Sequence, residues 1–171
     1  MTPTLANAGV PMLFVVGPVL LLALIPISFV EATMYRWRLG IPWNRAILGS
    51  FGANVLSTVV GVPVTWVALV LLQLITGGGG GQGVGIQAVT WQAPWLKPYE
   101  AELHWMIPAA GMVLCVPFFC ASVFTEYKFL YRYWRQLEPG RIRRAVWFAN
   151  TSTYACLVVF WGARLFLSIP R

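Results

Sequence analysis

Residues 46–75 read AILGSFGANVLSTVVGVPVTWVALVLLQLI, and no side chain in that stretch carries a charge. About 20 apolar residues wound as a helix cross the roughly 30 Å of hydrocarbon in a bilayer, so the segment can span one with turns to spare. Working outward, three more segments read the same way. Residues 10–34 hold a single charge, Glu31, near their far end; residues 105–125 hold none; residues 145–167 are broken only by Arg164. Pro11, Pro18 and Pro26 predict kinks in the first segment, which membrane helices tolerate because neighbours re-satisfy the freed carbonyls.

Composition agrees with four spans. Of 171 residues, 58% are hydrophobic and 10% charged, against about 25% charged in an ordinary soluble domain, and the mean hydropathy is +0.71. A soluble chain of this size leaves about a third of its unfolded surface exposed after folding and could not hide so much apolar area. Disorder is excluded by the same numbers, since it needs few apolar residues and many charges. The sequence therefore predicts an all-α integral membrane protein, one domain over residues 1–171. Hairpin 1 is expected over 10–76, a Gly-rich outer loop over 77–103 and hairpin 2 over 104–171.

Net charge is +7, from twelve Lys and Arg against five acidic residues, all Glu. The positive side chains lie in short connections rather than on a contiguous basic face, so no nucleic-acid partner is expected. Arg36, Arg38 and Arg45 occupy the first connection; Lys128, Arg132, Arg135, Arg141, Arg143 and Arg144 occupy the third; the second has only Lys97. The positive-inside bias then puts connections one and three in the cytoplasm and both termini outside, in a plasma (inner) membrane. Arg164 is expected to snorkel to the outer headgroups. The first ten residues lack the basic start of a signal peptide, so the first segment is expected to stay as a helix.

The run Gly77–Gly81 reads as a flexible linker, since no Gly-Lys-Ser/Thr phosphate cradle follows it. Trp91, Trp95 and Trp105 beyond it suit an interfacial segment. The third helix is expected to continue past the membrane to Leu137, ending at Glu138-Pro139-Gly140. There Lys128, Arg132 and Arg135 fall on one face and Tyr127, Tyr131 and Trp134 on another. An interfacial amphipathic helix of this kind contacts anionic lipid on the cytoplasmic side, and its bland alternative is a topology anchor.

The two halves resemble each other. Pro26, Glu31, Tyr35, Arg36, Trp37, Arg38 and Arg45-Ala46 are matched by Pro117, Glu126, Tyr131, Arg132, Trp134, Arg135 and Arg144-Ala145, and each set is followed by Ala-Asn and a pair of hydroxyl residues. The spacings differ by a few residues, so a repeated hairpin competes with chance matching in an apolar sequence. Gly49, Ala53, Ser57 and Gly61 recur every fourth residue, as do Ala145, Ala149 and Thr153, which predicts close packing of the second helix on the fourth.

Glu31, Asn54, Glu126 and Asn150 form the candidate polar cluster. Asn54 and Asn150 lie about 13 Å and 9 Å beyond Arg45 and Arg144 at 1.5 Å per residue, where an amide facing lipid is costly. Each Glu either pairs with a cytoplasmic Arg or the following helix's Asn, or stays solvated at the interface.

Chemistry is otherwise sparse. His104 is the one histidine, the three cysteines make no C-x-x-C pair, and no nucleophile elbow, H-E-x-x-H or P-loop occurs. No catalytic residue, cofactor or metal centre is expected. The leading expectation is a non-enzymatic structural or accessory subunit of a membrane assembly, with other membrane proteins or a second copy of itself as partner. The alternative is a small oligomeric transporter or channel with a cytoplasmic-side polar cavity.

Overall fold

The computed structural model describes residues 10–75 and 105–168. The Gly-rich loop, Trp91, Trp95, Lys97, His104 and both chain ends lie outside the described residues. Four helices make up the fold: α1 (Val10–Leu39), α2 (Trp43–Ile75), α3 (Met106–Tyr133) and α4 (Pro139–Ser168), with no strand among the described residues. They run on through Pro26, Pro63 and Pro117 without ending.

Two tight turns make two antiparallel hairpins. Gly40 adopts φ +70° and its N–H donates to Arg36 O at 2.9 Å, a left-handed cap that a residue with a Cβ resists. Pro42 follows and cannot extend α1. At the second turn the Trp134 N–H closes α3 on Leu130 O at 2.8 Å. Pro139 then opens α4, at a position where its missing N–H costs nothing.

Both turns share one end of the bundle. Arg141 Nη2 donates to Arg38 O at 3.4 Å, and the Arg38 guanidinium lies 4.0 Å from the Phe148 ring centroid. The arginine-rich connections of the two hairpins are thus side by side.

Around the bundle the order is α1, α2, α3, α4, with α4 closing on α1. The second and fourth helices are diagonal, which corrects the expected α2–α4 centre. The small residues serve a different purpose from close backbone approach: they admit large side chains from a neighbour. A Cβ on Gly49 would stand 2.6 Å from Trp134 Cζ2, one on Gly61 3.1 Å from Phe118 Cδ1, and one on Gly111 2.6 Å from the Trp161 ring. Ala53, Ala145 and Ala149 are buried in the same interior.

Among the described residues, Trp43–Thr65 and Gly111–Tyr133 are long and apolar enough to cross a membrane. Only 33% and 28% of their windows are buried in the bundle, whereas the core helix of a soluble protein would be mostly buried. Large apolar side chains such as Phe29, Val59, Val116 and Phe124 face outward.

The third helix also departs from expectation. It runs beyond residue 125, yet stops at Tyr133 rather than Leu137. Trp134 leaves the helix (φ −110°, ψ 49°) and turns inward under Gly49, fully buried and edge-on to Tyr35. The aromatic surface stripe therefore loses Trp134 to the core, and Arg135 sits in the turn, off the helical face of Lys128 and Arg132.

Candidate functional site

The interior side chains of all four helices meet in one polar cluster. Glu31, Asn54, Glu126 and Asn150 are buried, none more than 6% exposed. They arrive there because α1 and α2 are locked by one turn and α3 and α4 by the other, which puts each Glu opposite the Asn of the helix that follows it. Asn54 Nδ2 donates to Glu31 Oε2, and Asn150 Nδ2 donates to Glu126 Oε2 at 2.7 Å.

Crosswise bonds join the two hairpins. Ser57 on α2 donates to Glu126 Oε1 at 3.0 Å, and Thr153 on α4 donates to Glu31 Oε1 at 3.2 Å. Each Asn also reaches the carbonyl four residues back, Ser50 O or Val146 O. Each hydroxyl also lies within reach of the Asn carbonyl three residues back, Asn54 O or Asn150 O. Carboxylate, amide and hydroxyl thus take one local geometry in both hairpins.

Two further donors break the symmetry. Ser50 reaches Glu31 Oε2 at 3.3 Å, and the fully buried Tyr35 reaches Glu126 Oε2 at a long 3.5 Å. The sequence alone marks neither as polar machinery, and it places Ser57 and Thr153 in the small-residue stripes. The available signal was their register: each hydroxyl stands three residues after an Asn, and Tyr35 one turn after Glu31.

Electrostatically the cluster is lopsided. The six side chains that bond the two carboxylates are neutral, and every lysine and arginine among the described residues is exposed. The arginines expected as alternative partners of the Glu residues point outward instead. Asn150 Oδ1 is buried with no hydrogen-bond partner, as are Ser28 Oγ and Thr65 Oγ1 elsewhere in the interior.

Outside the cluster, Lys128 and Arg132 line an open groove of about 850 Å³ between α2 and α3, with Leu56, Val60 and Phe124 on its apolar walls. The Lys128 ammonium lies 4.1 Å from the Phe124 ring centroid, a cation–π contact that keeps it at the groove's edge.

No family model, curated protein or solved structure matches this chain.

Proposed function

We propose that the chain crosses a plasma membrane four times, with both ends outside and both arginine-rich turns in the cytoplasm. On this reading it is a small, non-enzymatic, oligomeric transporter or channel whose working part is the Glu31–Asn54–Glu126–Asn150 cluster. The observation that carries the reading is the convergence of two buried carboxylates at the interface of two repeated hairpins. Ionisable groups inside a membrane are costly and mark ion or substrate pathways, and transporters built from repeats bind their cargo where the repeats meet. Glu31 precedes Arg36 by five residues, about 8 Å along the helix, so the cluster lies toward the cytoplasmic side.

The test is flux through liposomes holding the purified chain. Solute or proton flux that disappears in an Asn54→Leu/Asn150→Leu double variant supports transport; flux equal to that of empty liposomes rejects it. Reporter fusions at Gly80 and Arg141 are expected in opposite compartments, and finding both on one side removes the topology.

One observation favours the accessory-subunit reading. Tyr35, Leu130, Trp134 and Ile142 have no exposed area and sit toward the turns from the cluster, so one copy alone is plugged at its cytoplasmic end. Affinity purification from native membrane separates the two readings, since an accessory subunit brings a stoichiometric companion.

A further inference from the structure

We propose that the groove between α2 and α3 seats one anionic phospholipid, its phosphate on Lys128 and Arg132 and the start of an acyl chain against Leu56, Val60 and Phe124. The inference goes beyond the transport and accessory readings, and it rests on the proposed topology only for the leaflet that supplies the lipid. Three observations carry it.

The first is a gradient of polarity. Gly52 faces Phe129 and Gly61 faces Phe118, so in this antiparallel pair Leu56 stands about level with Phe124, and Val60 lies a turn farther from the arginine-bearing end. Lys128 and Arg132 follow Phe124 toward that end, about 6 and 12 Å along the helix at 1.5 Å per residue. The groove is therefore apolar at its inner end and cationic at its outer end. A phospholipid is graded the same way, chain below phosphate. The volume of about 850 Å³ suits a headgroup and the beginning of one chain, the rest of the lipid staying in the bilayer.

The second is uncompensated charge. Lys128 and Arg132 are exposed. Among the described residues the Lys128 ammonium meets only the Phe124 ring, and the Arg132 guanidinium has no side-chain or carbonyl partner. None of the described residues lining the groove is acidic. A phosphate offers both cations charge-assisted hydrogen bonds, which are stronger than the cation–π contact of an exposed lysine.

The third concerns the rival occupant, a second copy of the chain. Glu31 and Glu126 are buried, and Glu138 is the one exposed acid among the described residues, whereas Arg36, Arg38, Arg45, Arg141, Arg143 and Arg144 are all exposed. A copy standing alongside in the same membrane brings mostly arginines to this level and meets like charge. Anionic lipid of the cytoplasmic leaflet brings phosphate.

The experiment is native mass spectrometry of the full chain in neutral detergent, titrated with dioleoylphosphatidylglycerol, dioleoylphosphatidylcholine or glycerol phosphate. The expected result is one phosphatidylglycerol retained per chain, at least about fivefold tighter than phosphatidylcholine, and not displaced by equimolar glycerol phosphate. Lys128→Gln and Arg132→Gln are each expected to weaken retention about fivefold, the factor for one cation beside an anionic lipid. Arg135→Gln, in the turn and off the groove, is expected to leave it unchanged. Leu56→Trp fills the inner end at constant charge and is expected to weaken retention at least about fivefold. Equal retention of phosphatidylcholine, displacement by glycerol phosphate, or Arg135→Gln weakening binding as much as Arg132→Gln overturns the proposal. So does a parent that dimerises and retains no lipid, since the groove then belongs to a second copy. Reporter fusions that put Gly80 and Arg141 on one side remove the topology and leave the micelle binding standing; a chain with the expected topology that ignores lipid charge does the reverse.

Discussion

The two hairpins carry the same carboxylate, amide and hydroxyl at matching positions, yet they fill the space beneath them differently. In the first, Gly49 leaves a gap and Tyr35 supplies a hydroxyl; in the second, the positions that match them in register are Ala145 and Leu130, and Trp134 pushes across into the gap. The shared part is the polar centre, where each carboxyl meets its amide and its hydroxyl. The parts that diverge are packing, where a volume lost on one side is returned from the other. Two hairpins joined at a polar centre can differ in shape around it, because many combinations of side-chain size fill the same interior volume.

The strongest way to break the symmetry is at the amides. Asn54→Leu and Asn150→Leu each remove a donor to a buried carboxylate, and each is expected to lower unfolding free energy by about 2–3 kcal/mol. The two losses should agree within about 0.5 kcal/mol if the hairpins are equivalent at their centre. Thermal unfolding in detergent measures both, and a loss confined to one variant sinks the equivalence. Next in size is the packing asymmetry. Gly49→Ala drives a methyl against the Trp134 ring and is expected to cost about 2 kcal/mol. Ala145→Gly at the matching position costs only about 1 kcal/mol, through helix propensity. Tryptophan fluorescence should report Trp134 displaced in the first variant and unmoved in the second. Smallest is the pair of extra donors. Tyr35→Phe and Ser50→Ala remove long, neutral-donor bonds, and each is expected to shift stability by about 0.5–1 kcal/mol, read by the same melting curves.

Much of this architecture was legible because apolar runs and arginine-bearing turns are long signals. The four candidate polar residues were legible because an amide or carboxylate in such a run is rare and costly. Ring order was not. When a helix is apolar on nearly every side, periodicity does not say which face meets the rest of the bundle and which faces outward, so the small-residue stripes give no hint that α3 rather than α4 fills the gaps in α2. Trp134 was misplaced for a related reason. Its spacing continues the surface stripe of Tyr127 and Tyr131, and only the space left by Gly49 on another helix draws it inward. The crosswise bonds of Ser57 and Thr153 were hidden because a small hydroxyl residue reads equally as a spacer and as a donor.

Those crosswise bonds have a consequence for how the protein is made. Glu31 leaves the ribosome well before Thr153, and Ser57 well before Glu126, so neither hairpin completes its hydrogen bonds until the last helix is synthesised. The nascent first hairpin must hold Glu31 without its Thr153 donor until α4 is made. Separately expressed halves should accordingly be degraded alone and rescue each other when produced together.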